Sequence, residues 1–177
     1  MSASPEKLKM LICNFLFIEM LIDIHTHHLK EKKENEFFIF NQTGSFHELS
    51  SASHISLGLH PWHINDNREF TLDQIEKQLA DPRVKAIGET GLDAMKGPDM
   101  KIQQEIFARH IFLSEQYKKP LIIHCVKAYN EIIRIKKEMK PQMPWIIHGF
   151  RSNAQTADQL ALHGLYISFG TALLTQT

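Results

Sequence analysis

The sequence has little cysteine and no net charge. Its two cysteines, Cys13 and Cys125, are too few for a disulfide scaffold and lack metal-pair spacing, which favours a reducing, cytoplasmic location. Lys plus Arg and Asp plus Glu both number 20, so no basic field exists to hold a long nucleic acid by its phosphates. A nucleic-acid substrate would have to be bound by local contacts, at low affinity.

The sequence also lacks an apolar run long enough to span a membrane. The apolar stretch 8–18 is interrupted by Asn14 and is shorter than the roughly twenty residues that a spanning helix needs. Lys7 and Lys9 precede it, but no small-residue cleavage site of a signal peptide follows. We therefore expect no membrane association. Residues 1–19 are expected to be an N-terminal extension that the fold does not require; the alternative is a helix that covers the floor of a barrel.

What the sequence does contain is a set of histidines and one glutamate at the ends of short apolar runs. They are His25 and His27 after 21–24, Glu89 after 84–87, His124 after 121–123, and His148 after 145–147. Short continuous runs of Ile, Val and Leu are typical of buried parallel strands. In a (β/α) barrel, chemistry collects at the C-terminal ends of the strands. The pattern predicts a metal site at the mouth of a parallel barrel.

The residue types at these strand ends suit a divalent cation. Residues two apart in a strand share a face, so His25 and His27 can direct both imidazoles at one ion. Imidazole and carboxylate together suit Zn, Mn or Mg. One histidine at a strand end is weak evidence, because most histidines are ordinary core or surface residues. Its repetition at several strand ends, with Glu89 at another, favours a metal site.

The alternation of apolar runs and helix-like segments predicts seven strands. They are expected at residues 21–27, 37–40, 55–60, 84–89, 121–125, 145–149 and 165–169. Residues 41–53 are too short and polar for a covering helix, so we expect one helix to be missing there. Capping boxes at Thr71 with Gln74 and at Ser152 with Gln155 predict two helix starts. Apolar residues at helical spacing predict a long amphipathic helix over about 100–118, and another helix is expected between Tyr129 and Pro141.

Six short motifs occur in order along the chain, separated by helix-length spacers. They are Asp-Ile-His-Thr-His at 23–27, Gly-Leu-His-Pro-Trp at 58–62, Ile-Gly-Glu-Thr-Gly-Leu-Asp at 87–93, Lys-Pro-Leu-Ile-Ile-His at 119–124, Ile-His-Gly-Phe at 147–150 and Tyr-Ile-Ser-Phe-Gly at 166–170. Together they resemble the TatD family of metal-dependent hydrolases, usually described as deoxyribonucleases. The resemblance covers nearly all of residues 20–170. Within the family, the sequence is similar to the compact bacterial subgroup.

The resemblance implies an α/β fold, a TIM barrel of the metal-dependent hydrolase type. A complete TIM barrel needs about 250 residues and at least about 200, so residues 20–177 are expected to form a barrel that is incomplete at the C-terminus, with seven of eight strands. In the family the eighth strand ends in a Thr-Asp segment, whose aspartate completes the metal site and is the expected general base. No residue of this sequence matches that aspartate.

The resemblance also implies two divalent ions (Mg, Mn or Zn) that share one carboxylate. His25, His27 and Glu89 would hold one ion, and Glu89, His124 and His148 the other. Such ion pairs are about 3.5 to 4 Å apart and clamp the attacking and leaving oxygens of a phosphodiester. Glu89 is therefore the candidate catalytic residue, since it contacts both ions.

Further polar residues near the strand ends are candidate substrate-binding groups. His60 and His63 could donate to a phosphate, or could be solvent-facing histidines in a loop fixed by a proline. Lys127 and Arg151 each follow a predicted ligand by three residues and could anchor phosphate, or could be solvated loop charges. Asp93 could contact the substrate or cap its loop.

Three functions are consistent with these observations. The first is a TatD-type hydrolase that cleaves phosphodiester bonds of DNA. The second is an amidohydrolase-like enzyme that acts on a small ester, lactone or amide, since the fold and ligand set do not dictate the scissile bond. The third is a catalytically defective, truncated homologue. DNA or another phosphodiester is the expected partner of the first, and the sequence does not predict an oligomeric state.

Overall fold

The computed structural model describes residues 21–29 and 34–170. Seven parallel strands form one sheet in sequential order. They are β1 (Leu21–Thr26), β2 (Glu36–Gln42), β3 (Ile55–Leu57), β4 (Val84–Asp93), β5 (Leu121–Val126), β6 (Trp145–Ile147) and β7 (Leu165–Ile167). The sheet curls into a half-barrel, as the sequence predicted. The predicted extension at residues 1–19 lies outside the described residues.

Helices connect the strands from β3 onward. A 3-10 turn (Pro61–His63) and α1 (Arg68–Gln78) follow β3, and α2 (Met100–Tyr117), α3 (Tyr129–Met139) and α4 (Ala154–Leu162) join the later strands. Between β2 and β3 the described residues contain no helix, as predicted from the short polar segment there. None of the helices in the described part of the chain is long and apolar enough to cross a membrane.

The largest difference from the predicted strand bounds is in β4. The strand was expected to end at Glu89, but it continues to Asp93 because it stays paired with β5 as far as the Asp93–Val126 pair. Glu89 therefore lies inside the strand. β1 ends at Thr26, so that His27 lies just beyond it. Strands β3, β6 and β7 are each shorter than predicted.

Both predicted capping boxes are wrong. Helix α1 begins at Arg68, and the Thr71 hydroxyl instead donates to the Asn67 carbonyl at 3.2 Å. Helix α4 is capped by Asn153, whose Oδ1 accepts from the Thr156 backbone N–H at 2.9 Å. Asparagine is as good an N-cap as serine, so spacing alone could not select between the neighbouring polar residues. The predicted bounds of α2 and α3 are confirmed to within one or two residues.

The main apolar core lies between the sheet and the helices. It contains Leu72 from α1, Phe107 from α2 and the fully buried Trp145 of β6, whose ring lies edge to face with Phe107 at 5.3 Å. A smaller cluster of Ile39, Ala86 and Ile122 lies on the opposite face of the sheet, since adjacent residues in a strand point to opposite faces. The buried apolar cluster on the inner face of the sheet is therefore small, and polar side chains occupy that face at the C-terminal ends of the strands.

His110 of α2 is a structural histidine. Its ring is fully buried; Nδ1 donates to the Ile106 carbonyl at 2.8 Å, and Nε2 accepts from the Leu59 N–H at 3.0 Å. Burial is the main cause that lowers the pKa of His110 to about 4. The neutral ring thus ties α2 to the segment after β3.

Acid should destabilise the protein through His110. Because the folded-state pKa of about 4 lies below the unfolded value of about 6.5, the unfolded chain binds more protons between these pH values. Stability that is present above pH 6.5 is therefore lost as the pH falls towards 4, by at most about 3 kcal/mol. His110→Gln should flatten the dependence of the unfolding free energy on pH in that window, measured by urea titration. The exposed His47→Gln is the control, and equal slopes in wild type and His110→Gln would contradict the prediction.

A second prediction concerns Gly91, which lies between Glu89 and the end of β4. Its φ is +140°, and a Cβ atom there would overlap the His124 carbonyl oxygen. Gly44 also has a positive φ, of +85°, but a Cβ there would meet nothing within 4 Å. Gly91→Ala should therefore cost about 3 kcal/mol of unfolding free energy, from clash plus strain, and Gly44→Ala only about 1 kcal/mol. If both variants lost the same unfolding free energy in thermal or urea titrations, the close approach of β4 to β5 would not be the cause of the loss in Gly91→Ala.

Candidate metal centre

Imidazoles and one carboxylate from separate strands converge at the C-terminal end of the half-barrel. His25 comes from β1, Glu89 from β4, His124 from β5 and His148 from the residue after β6. An open cleft of about 770 Å³ extends from these side chains between β1 and the segment after β7. The residues that the sequence placed at strand ends are thus brought to one site.

Glu89 is the centre of this site. Its carboxylate is buried, with Oε2 3.2 Å from His25 Nε2 and Oε1 3.0 Å from His124 Nδ1. Burial alone would raise the pKa of the Glu89 carboxyl, but hydrogen bonds from His124 and His25 outweigh it and hold the pKa below its ordinary range. Glu89 is therefore an ionised carboxylate surrounded by imidazoles.

Two groups of side chains in the described part of the chain have ligand atoms that all lie within 4.8 Å of one another. They are His25, Glu89 and His148, and His60, Glu89 and His124. Glu89 belongs to both groups. The set predicted from the sequence paired the histidines differently around the same carboxylate, with His27 and without His60.

The contacts of His25 fit a bound cation. Its Nε2 lies 3.0 Å from His27 Nε2, and two neutral rings that meet in this way share at most one proton. Its Nδ1 is buried and has no hydrogen-bond partner, which is costly for a polar atom. A divalent cation would accept lone pairs from both facing nitrogens, and imidazole with carboxylate is a suitable donor set.

His148 lies against His25, with ring centroids 3.8 Å apart. Burial is the main cause that lowers the pKa of His148 to about 4. The ring is therefore neutral at neutral pH, and a neutral imidazole is the form that binds a metal. His27 itself is exposed at the rim and contacts His25.

His60 is placed as a donor rather than as a ligand. Its Nδ1 accepts from the Trp62 backbone N–H at 3.1 Å, so the proton of the neutral ring is on Nε2. That Nε2 lies 3.7 Å from Glu89 Oε1. Burial lowers the pKa of His60 to about 4, which keeps the ring neutral. An Nε2–H at this position can donate to an anionic oxygen in the site, which is the role that the sequence suggested for His60.

His124 has a carboxylate on each side. Nδ1 faces Glu89, and Nε2 lies 2.9 Å from Asp93 Oδ2. Burial would lower the pKa of His124, but these two hydrogen bonds outweigh it and raise the pKa. Asp93 is itself buried, and its Oδ1 accepts from the Met95 and Lys96 backbone N–H groups. Of the two roles considered for Asp93, capping its loop is the one that its contacts describe.

The other predicted substrate-binding residues lie at different distances from the centre. Arg151 is exposed and lines the cleft together with the histidines. His63 is exposed, with its ring 5.6 Å from that of His60. Lys127 is exposed just after β5 and is not among the residues that line the cleft. Arg151 is therefore the predicted phosphate anchor that the fold brings to the site.

Two residues that support the site were not predicted. Asn41 of β2 is buried, and its Oδ1 accepts from the Glu89 backbone N–H at 3.1 Å. Gln103 of α2 accepts from the Asp93 N–H and donates to the Asp93 carbonyl. Asn41 could have been found as a polar residue that closes an apolar strand. Gln103 gave no such signal, because its partner lies across a loop and a helix.

Comparison with known proteins identifies related chains. The family model described as TatD related DNase matches residues 39–177. A protein of Buchnera aphidicola subsp. Baizongia pistaciae, named uncharacterized metal-dependent hydrolase, is 39% identical over 117 residues, which are 65% of this chain and 44% of that protein. The metal-dependent hydrolase YcfH of Escherichia coli K12 is 35% identical over 64% of this chain and 43% of its own length. The chain spans less than half the length of these relatives.

Solved structures share the fold. The TatD homologue YjjV of Escherichia coli K12 superposes with a TM-score of 0.64 at 24% identity, over 73% of this chain and 54% of that one. A TatD-family hydrolase of Entamoeba histolytica has the same TM-score at 18% identity, over 85% of this chain and 65% of its own. The curled parallel sheet thus corresponds to part of the TIM-barrel-type fold of these relatives.

If the convergent histidines and Glu89 hold a cation, metal should stabilise the fold. Zn²⁺ or Mn²⁺ at about a hundred times its dissociation constant should raise the free energy of unfolding by about 2.7 kcal/mol. Glu89→Gln should remove most of this increment, because the carboxylate belongs to both donor groups. The exposed Glu105→Gln should keep it. The measurement is thermal or urea unfolding with and without metal; an increment of the same size in Glu89→Gln would contradict the assignment.

Proposed function

The chain belongs to the family of TatD-related DNases, and on that premise we propose that it is a metal-dependent hydrolase that cleaves phosphodiester bonds of DNA. The observation that carries the proposal is the buried Glu89 carboxylate, whose two oxygens face His25 and His124, histidines from two different strands. A carboxylate shared in this way is suited to bridge two cations. The names of the relatives, metal-dependent hydrolases, support the same chemistry.

Two divalent cations, Mg, Mn or Zn, are the proposed cofactors. Glu89 would contribute to both: His25 faces its Oε2 and is in turn contacted by His27 and His148, and His124 faces its Oε1. Bound there, such cations would lower the pKa of water and stabilise the negative charge that develops on a phosphoryl group. The ionised state of Glu89 is secured by its histidine neighbours.

The chain's own residues supply the remaining functions. The Nε2–H of His60 is directed into the site and would donate to a non-bridging phosphate oxygen. Arg151, at the rim of the cleft, would hold a neighbouring phosphate through its planar guanidinium. Glu89 lies too close to His25 and His124 to rotate freely, so the ligand geometry is set before substrate binds.

The substrate is proposed to be short or single-stranded DNA, bound by local contacts. The formal net charge of the chain is zero, so long-range attraction to a duplex is weak.

A small ester, lactone or amide is the second candidate substrate. The observation that favours it is that the cleft has few cationic side chains, since Arg151 is the sole Lys or Arg among its described lining residues. A substrate with one scissile bond and no flanking phosphates would need no further anchor. The fold alone does not decide between the two.

A direct assay separates these candidates. The metal-loaded protein would be offered single-stranded and duplex oligonucleotides, a nitrophenyl phosphodiester, a nitrophenyl carboxylic ester and a lactone. We expect cleavage of the single strand and the phosphodiester. Glu89→Gln should cost several kcal/mol of transition-state stabilisation, about a hundredfold or more in kcat/KM, because it disturbs both ions, whereas Glu105→Gln should be unchanged.

Each other outcome of this assay has a definite meaning. Hydrolysis of the carboxylic ester or lactone alone would favour the second candidate. Metal binding without turnover of any substrate would favour the catalytically defective homologue. Phosphodiester cleavage that persists in Glu89→Gln would exclude Glu89 as the shared ligand.

A cytoplasmic location is part of the proposal. Cys125 is a free, buried cysteine, and burial raises the pKa of its thiol to about 12. Such a thiol is a packing group rather than a nucleophile, and a reduced cysteine is consistent with a reducing compartment.

A further inference from the structure

We propose that Asp93 is a positioning residue that fixes the His124 imidazole, so that Nδ1 and not Nε2 is the nitrogen offered to the metal centre. This inference rests on the proposed function, because it takes His124 to be a metal ligand. It gives Asp93 a role other than the substrate contact considered from the sequence, and it adds Trp62 and Gln103 as supports.

The two nitrogens of His124 face different carboxylates. Nδ1 lies 3.0 Å from Oε1 of Glu89, and Nε2 lies 2.9 Å from Oδ2 of Asp93. Glu89 belongs to both groups of candidate ligands, so the nitrogen that faces it is the one that would face a bound ion. Asp93 lies on the far side of the ring and accepts the Nε2 proton. A cation could then replace only the proton on Nδ1.

Asp93 itself has no freedom to leave this position. Its Oδ1 accepts from the Met95 N–H at 2.8 Å and the Lys96 N–H at 3.0 Å, and its Oδ2 accepts from the Trp62 indole N–H at 2.7 Å. With His124 these contacts use both oxygens of a carboxylate that is 3% exposed. A side chain with its acceptors occupied and its surface covered cannot also bind substrate.

The backbone of Asp93 is held by Gln103. The Asp93 N–H donates to Gln103 Oε1 at 2.8 Å, and Gln103 Nε2 donates to the Asp93 carbonyl at 3.0 Å. Gln103 is buried on α2, so the helix outside the sheet fixes the strand end inside it. Asp93 is thereby anchored at both its main chain and its side chain.

Trp62 covers the Asp93–His124 pair from solvent. Its ring is 5.6 Å from that of His124 and carries the Lys96 ammonium 3.7 Å from its centroid. Because Lys96 occupies one face of the indole and the N–H is committed to Asp93, Trp62 acts as a cover. A hydrogen bond that is shielded from water is electrostatically stronger, so the Asp93 carboxylate fixes the His124 ring more firmly.

Removing the carboxylate charge should weaken metal binding without unfolding the protein. A second-sphere carboxylate that accepts the distal N–H of a ligand histidine orients the ring and raises its basicity, and its loss typically costs 10- to 100-fold in metal affinity. Asp93→Asn should therefore bind Zn²⁺ about 10- to 100-fold more weakly in competition with a chromophoric chelator. Asp99→Asn, an exposed helix cap on the same loop, is the matched control. Trp62→Phe, which removes one donor to Asp93, should change the affinity by only a few-fold.

A spectroscopic measurement makes the test independent of activity. In protein labelled with 15N-histidine, metal-loaded wild type should show His124 with a protonated Nε2 and a metal-bound Nδ1. In metal-free protein, the hydrogen-bonded Nε2–H signal of wild type should be lost or shifted in Asp93→Asn. Unfolding curves in excess chelator show whether each metal-free variant is folded. If Asp93→Asn is unfolded, the test rests on which nitrogen of His124 binds metal in the wild-type spectrum.

The outcomes distinguish this inference from the proposed function. Zn²⁺ binding by Asp93→Asn within twofold of wild type, or a metal on Nε2 of His124, would overturn the role of Asp93 and leave the hydrolase proposal intact. Wild type that binds no Zn²⁺, Mn²⁺ or Mg²⁺ would overturn the proposed function. The metal-free spectra would still show whether Asp93 holds His124.

Discussion

The structure depends on the burial of one carboxylate charge, that of Glu89. An ionised carboxylate away from water is costly unless it is paired and hydrogen-bonded, and Glu89 is both, through His25 on one side and His124 on the other. These partners come from β1 and β5, so the sheet must curl for the charge to be satisfied. The same constraint gathers the candidate ligands, because every imidazole that faces Glu89 is neutral or hydrogen-bonded to it.

The hydrogen-bond partners of the histidines around Glu89 differ, and these differences suggest different roles for them. His60 accepts a backbone N–H at Nδ1 and so presents a proton at Nε2. His124 donates a hydrogen bond from Nε2 to Asp93, and its Nδ1 faces Glu89. His25 retains a buried nitrogen without a partner. The N–H group proposed to contact substrate and the ring nitrogens proposed to bind metal thus belong to histidines with different hydrogen-bond partners, although all lie in one cluster.

The sequence predicted much of the fold and the composition of the site. Strand positions followed from continuous apolar runs, and the long helix over about 100–118 from its amphipathic spacing; both are local patterns. The convergence of His25, Glu89, His124 and His148 followed from one rule, that parallel strands present their C-terminal ends at the same rim. The end of β4 and the helix caps were predicted wrongly, since pairing with β5 and a choice between adjacent polar residues decided them.

By itself the sequence determined which side chains lie at the rim of a parallel sheet, because alternation along a strand and the direction of the strands fix that much. Only the tertiary structure decided what each one does there. Asp93 is close to Glu89 in sequence, yet it faces His124 and Trp62 rather than the cleft, and Asn41 reaches Glu89 from another strand. Hydrogen-bond direction depends on groups that lie far apart along the chain, and only the folded sheet brings those groups within bonding distance.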